Sequence, residues 1–275
     1  IKFGFIIMQQ APAKYLNYKK YGTGPKYLLA FHGFGQTELA FQLFGTSLGI
    51  DYTIISIDLF FHGKSQWPTD ELPVPTESWH DLLLGILKAE QIDKFSVMGY
   101  SLGGKLALTT AMLFPQRVQR IILAAPDGIY LNPWYNVATG TWVMRAIFHY
   151  LNDNPALLIR LISFFSRTRL VSGRLAKFAI SQVADHNNGN SIYHAWVGFR
   201  HFTQNIDKVL QTVNQNNIHV TMVAGKYDTV IPYGKLHSFE KKCASSDFVL
   251  IKTGHNSLLQ KFHESLLENV RPHSG

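Results

Sequence analysis

Val97-Met98-Gly99-Tyr100-Ser101-Leu102-Gly103-Gly104 is the stretch on which the reading of this chain turns. An apolar run, Phe95–Met98, ends in Gly-x-Ser-x-Gly and passes directly into a helix-like pattern, Leu102–Leu113. A side chain lifted above a strand end must sit on a very tight strand-to-helix turn. Small residues two before and two after Ser101 let the backbone close on itself there. The helix that follows aims its first N–H groups at the same spot. Ser101 is therefore a candidate nucleophile. The pentapeptide alone recurs by chance as a Gly/Ser turn without chemistry, and the strand–turn–helix context is what makes it specific.

Outward from this turn, similar strand-then-loop units recur. Lys26–Phe31 runs into His32-Gly33, Tyr52–Ile57 into Asp58, and Arg120–Ala125 into Pro126-Asp127-Gly128. His219–Ala224 runs into Gly225, and Phe248–Ile251 into Thr253-Gly254-His255. The runs are continuously apolar, as in strands covered on both faces of a parallel sheet. Helical patterns lie between them: Thr37–Leu48, Thr76–Glu90, Pro232–Lys242 and Ser257–Asn269. This βαβα rhythm predicts an α/β fold, doubly wound on a mostly parallel sheet. Lys14–Tyr21 is expected to add an antiparallel edge strand. From residue 129 to 210 the rhythm stops, and helix-like, aromatic-rich stretches appear at Trp142–Leu151, Ala156–Ser166 and Ile192–Phe202. The expected division is a core of residues 1–128 and 211–275 with a helical cap inserted at 129–210.

In open α/β sheets ligands bind beyond the carboxyl ends of the strands. His32, Asp58, Ser101, Asp127, Asp228 and His255 all fall at such ends, so they become candidates together. A serine hydroxyl needs a base, and the base needs an orienting carboxylate. His255, in a loop near the C-terminus, is the expected base. Asp228, just past the His219–Ala224 run, is the expected acid, and Asp127 is its rival. Pro126-Asp127-Gly128 is also a good turn signal, so Asp127 has a structural reading. His32-Gly33-Phe34-Gly35 lets a backbone N–H face the site, and Phe34 and Leu102 are the expected oxyanion donors. His32 itself reads as a structural hydrogen-bonder.

With these motifs assembled, the chain resembles the α/β-hydrolase superfamily over nearly its whole length. The resemblance rests on His32-Gly33-Phe34-Gly35, Asp58-Leu59-Phe60-Phe61-His62-Gly63-Lys64-Ser65, Gly99–Gly104, Asp228 and Gly254-His255. The chain order Ser101, Asp228, His255 is that family's order and favours Asp228 over Asp127. In the second motif, Phe60-Phe61-His62 replaces the usual proline–glycine core and suggests a more aromatic loop near the pocket. The resemblance also implies the cap after the strand ending near Ala125. Superfamily members that are dehalogenases and epoxide hydrolases carry Asp at the nucleophile position, so Ser101 counts against both.

The expected chemistry is hydrolysis of a carboxylic ester or thioester through an acyl-enzyme. Other reactions on the same residues remain open: carbon–carbon bond hydrolysis, acyl transfer, perhydrolysis, or ligand binding with weak catalysis. Hydrophobic residues make up 46% of the chain and charged residues 16%, enough apolar content for a packed core and against disorder. The net charge is +8. Between residues 129 and 210, Arg145, Arg160, Arg167, Arg169, Arg174, Lys177, Arg200 and Lys208 stand against Asp153, Asp185 and Asp207. This basic, aromatic block either meets acidic or amphiphilic substrates, or anionic surfaces, or is a solvated helix face. Its aromatics include Trp134, Tyr135, Trp142, Phe148, Tyr150, Phe164, Phe165, Tyr193, Trp196, Phe199 and Phe202.

The expected partner is a small acyl-containing molecule. No nucleic-acid module, metal-ligand spacing or phosphate-cradling loop is recognisable, so no nucleic acid and no cofactor are expected. A single cysteine, Cys243, precludes an intrachain disulfide; it reads as a structural residue in a cytoplasmic protein. Ile1–Met8 is apolar but short, and reads as a strand or the remnant of a leader, with Met8 as an alternative start.

Overall fold

A computed structural model of the chain describes residues 14–129, 133–168, 171, 173–184, 192–202 and 205–270. The N-terminal stretch to Met8, Arg169 and Asp185 lie outside the described residues, as do the side chains of Trp134 and Arg174. In chain order the sheet-forming half runs β1 (Tyr18–Tyr21), β2 (Lys26–Phe31), α1 (Phe44–Ser47), β3 (Tyr52–Ile57), α2 (Thr76–Ala89), β4 (Phe95–Tyr100), α3 (Leu102–Leu113) and β5 (Val118–Ala124). Among the described residues, helices follow with no strand between them: α4 (Pro133–Gly140), α5 (Trp142–Asp153), α6 (Pro155–Arg167), α7 (Gly173–Ala184), α8 (Ile192–Gly198) and α9 (Ile206–Gln215). The chain then returns to the sheet with β6 (His219–Gly225), α10 (Tyr233–Glu240), β7 (Ser246–Ile251) and α11 (Leu258–Val270).

The seven strands are ordered β1-β3-β2-β4-β5-β6-β7, and only β1 is antiparallel to its neighbour. The inner strands are largely apolar because helices cover both faces, and β4 is buried at every position. Order and register together create the site. The chain leaves β2 for β3 on one side and comes back to β4 on the other, so the loops after β2 and β4 flank a crevice. Phe31 pairs with Gly99, Tyr100 with Ala124, and Ala124 with Val223. The strand ends therefore form one level edge, from which every candidate loop departs.

The helix expected at Thr37–Leu48 is instead a 3-10 turn, Glu38–Phe41, followed by the single-turn α1. Its bonds step back three residues, Ala40 to Thr37 and Gly45 to Gln42, and this tighter winding lets Phe41 and Phe44 both reach the core. The edge strand expected from Lys14 pairs with β3 only over Tyr18–Tyr21, with a lone bridge from Tyr15 to Gln66. Asn17 is diverted between them: its amide side chain donates to Asp58 Oδ2 at 2.8 Å and its N–H to Ser65 Oγ at 2.8 Å.

Two apolar clusters are present. The large one surrounds the sheet and takes in Phe199, Phe202, Val209, Leu210 and Val213. The small one, among the helices after β5, centres on Phe148, Val183, Ile192 and Val197. Phe34 and Leu72 pack against both. Among the described residues, no helix is long and apolar enough to cross a membrane.

Candidate active site

Ser101 sits between β4 and α3 with φ +49° and ψ −119°, a backbone conformation that L residues rarely adopt. The flanking glycines make it possible. A Cβ on Gly103 would lie 1.9 Å from the carbonyl oxygen of Phe31, and one on Gly99 would lie 2.4 Å from that of Gly103. Strand, turn and helix thus pack at main-chain contact, and the Ser101 side chain is pushed out at the strand edge.

His255 Nε2 lies 3.0 Å from Ser101 Oγ, and His255 Nδ1 lies 2.7 Å from Asp228 Oδ2. With Nδ1–H donating to the carboxylate, Nε2 is the ring atom left to face the serine hydroxyl. Asp228 is fixed by its other oxygen: Oδ1 accepts the N–H of Val230 at 2.8 Å and of Ile231 at 2.9 Å. Tyr100, the residue before the serine, donates its hydroxyl to the His255 carbonyl at 2.8 Å and stacks on the imidazole. Burial and the nearby Asp228 charge push the Tyr100 phenol well above its usual range.

Asp127 does not join this chain of hydrogen bonds. Its N–H donates to Ser101 O and its Oδ1 accepts from Gly128 N–H, both at 2.8 Å. Its Oδ2 lies 3.0 Å from the ammonium of Lys105, a side chain of α3 with no exposed surface. Lys105 Nζ also sits 4.2 Å from the ring centroid of Tyr135 on α4. Burial alone would lower the Lys105 pKa, but Asp127 and Tyr135 outweigh it and hold it raised. Sequence reading missed Lys105, although a signal exists: it is the one charged residue in the Leu102–Leu113 segment.

The loop after β2 carries Phe34, whose ring meets His62 edge-on at 5.2 Å. Among the described residues, the N–H groups of Phe34 and Leu102 have no protein acceptor. His32 braces the loop: Leu59 N–H donates to its Nε2 at 3.0 Å, and its Nδ1–H donates to Gly33 O at 2.7 Å. Burial drives its pKa down to about 3, so it stays neutral. Burial likewise lowers His62 to about 4. His62 Nδ1–H donates to Phe60 O at 2.9 Å, while its buried Nε2 has no partner among the described residues.

Asp58 is spent on main chain and amide donors. Burial alone would raise its carboxyl, but the N–H groups of Lys64 and Glu38 and the Asn17 amide hold it below the usual value. The aromatic substitution in this loop divides its work. Phe60 is core, stacked on Phe199 and tilted against Trp67, whereas Phe61 packs on His194 of α8 and on Phe199. Cys243 is buried, with its thiol pushed up to about 11 by that burial and by the Glu240 charge.

A family model described as alpha/beta hydrolase fold matches residues 26–262. Among curated relatives, the 2-hydroxymuconate semialdehyde hydrolase of a Pseudomonas species is 29% identical over 154 residues, which is 54% of this chain and 51% of that protein. The mouse (lyso)-N-acylphosphatidylethanolamine lipase is 30% identical over 145 residues, 48% of this chain and 40% of the lipase. The chain thus spans about half, or less, of the relatives it matches. Among solved structures, a thermophilic esterase from Thermogutta terrifontis superposes with a TM-score of 0.68 at 19% identity, covering 93% of each chain.

Proposed function

This chain belongs to the alpha/beta-hydrolase fold family, and from that premise we propose that it is a serine hydrolase cleaving a carboxylic ester or thioester through an acyl-enzyme on Ser101. The observation that carries the reading is the unbroken path Ser101 Oγ, His255 Nε2, His255 Nδ1, Asp228 Oδ2, with steps of 3.0 and 2.7 Å. As the Ser101 oxygen attacks the carbonyl carbon, its proton passes to His255 Nε2. Asp228 keeps the ring in the required tautomer and stabilises the imidazolium. The N–H groups of Phe34 and Leu102 receive the oxyanion, each worth about 3 to 4 kcal/mol in the transition state. The imidazolium protonates the departing alkoxide or thiolate. Water, deprotonated by His255, then releases the acid and restores Ser101.

The test pairs labelling with turnover. A fluorophosphonate should label Ser101, and p-nitrophenyl esters of graded acyl length should turn over in wild type and not in Ser101→Ala. Wild type as inactive as Ser101→Ala, together with no label on Ser101, would end this reading. The match to a 2-hydroxymuconate semialdehyde hydrolase favours one second reading, carbon–carbon bond hydrolysis of a vinylogous diketone with the same residues. Consumption of such a dienol substrate without ester turnover would select it.

A further inference from the structure

Helices α5 and α6 turn outward what helices of a packed block normally hide. On α5, Trp142 is 74% and Tyr150 is 61% exposed, with Val143 and Ile147 also open to solvent. At 100° per residue these four positions lie within an arc of about 140°. Phe148 and Asn152 on the far side are buried. Helix α6 begins after Asn154 alone and packs against α5. None of its residues is fully buried. Its exposed stripe, Leu157, Arg160, Phe164 and Arg167, falls within about 80° and alternates apolar with basic side chains. Single exposed apolar residues need no explanation, but contiguous ones mark an interaction surface.

Charge identifies the occupant. Among the described residues of 133–198, Asp153 is the only acidic one, against Arg145, Arg160, Arg167 and Lys177. A two-fold contact between copies of this face would gather Arg160 and Arg167 of both copies with only Asp153 among the described residues to offset them. Trp and Tyr settle where hydrocarbon meets polar headgroups, and arginine adds attraction to anionic lipid. We propose that the α5–α6 face docks on an anionic phospholipid surface, with Trp142, Ile147 and Phe164 entering the headgroup boundary while Arg160 and Arg167 stay among the phosphates. This docking does not depend on the reaction assigned to Ser101, and the Ser101→Ala protein should bind as wild type does.

The experiment floats the full chain with vesicles of phosphatidylcholine alone or mixed with phosphatidylglycerol. The chain should rise with the mixed vesicles and much less with the neutral ones, and added salt should release it. Arg160→Gln and Arg167→Gln should each weaken partitioning about fivefold. Trp142→Ser combined with Ile147→Ser should weaken it about tenfold. Circular dichroism should leave all variants folded, and turnover of a short soluble ester should be unchanged. A chain that stays below both vesicle types overturns the proposal. So does equal, salt-insensitive binding to both compositions. A dimer in sedimentation that Trp142→Ser disperses would also overturn it, assigning the face to a second copy.

Discussion

The Lys105–Asp127 pair gives a prediction whose two halves must differ. Lys105 has no exposed surface, whereas the Asp127 side chain is 29% exposed and also holds Gly128 N–H. At 3.0 Å the two charges attract by about 5 kcal/mol at an effective dielectric constant of about 20. Removing the acid strands a buried ammonium against Tyr135. Asp127→Asn keeps the shape and the Gly128 bond and should cost about 3 to 5 kcal/mol. Lys105→Met removes the buried charge, leaves a methionine under Tyr135, and exposes nothing that water cannot reach. It should cost about 1 kcal/mol, and the double variant should sit near Lys105→Met rather than at the sum. The coupling energy in the cycle is then about −4 kcal/mol.

Urea titrations of the four proteins at pH 7, followed by tryptophan fluorescence and circular dichroism, measure it. A pH series adds a second sign. In wild type the raised Lys105 pKa means its stabilisation is present below pH 10.5 and fades as pH rises through the raised value. In Asp127→Asn burial dominates and the folded-state pKa drops below 10.5. Stability should then rise with pH across that gap. Equal losses in the two single variants, or additive losses in the double, would refute the reasoning.

Three further outcomes are expected. Asp228→Asn should keep both main-chain bonds through its remaining oxygen yet lower kcat about 10⁴-fold toward p-nitrophenyl esters, because the imidazole loses its tautomer control. Gly103→Ala should abolish fluorophosphonate labelling or soluble expression, since its methyl would stand 1.9 Å from Phe31 O. His62, neutral when folded with a pKa near 4 against about 6.5 unfolded, binds fewer protons in the native state than in the unfolded state across that interval. His62 should therefore contribute a fall of about 3 kcal/mol as pH drops through it, on top of the loss from His32 over the same interval, and His62→Asn should remove only its own share in thermal melts read by circular dichroism.

What the sequence exposed and what it hid follow from the range of each signal. The parallel strands and the Ser101 turn are local: continuous apolar runs and two glycines at fixed offsets leave one conformation open. Asp228 and Asp127 look alike locally, each three residues past the end of a strand. They separate only in space, where one meets His255 and the other meets Lys105. Lys105 was invisible to motif reading because its partner lies 22 residues on, across a strand, although its lone charge in the Leu102–Leu113 segment marked it. Residues 129–210 read as helical from their patterns, but not which aromatics face in. Phe199 and Phe202 belong to the sheet core while Trp142 and Phe164 face solvent, a division set by packing partners far along the chain.

The contact between Tyr100 and His255 has a mechanical consequence. Ser101 and His255, 3.0 Å apart through Oγ and Nε2, are 154 positions apart in sequence, yet the phenol ring next to Ser101 grips the loop that carries the imidazole. A small slide of β4 along its neighbours would therefore carry both partners together and leave the gap between them unchanged. The helices of residues 133–198 are outside this linkage. Exchanging their side chains would leave the alignment of Ser101 with His255 to β4 and its own Tyr100.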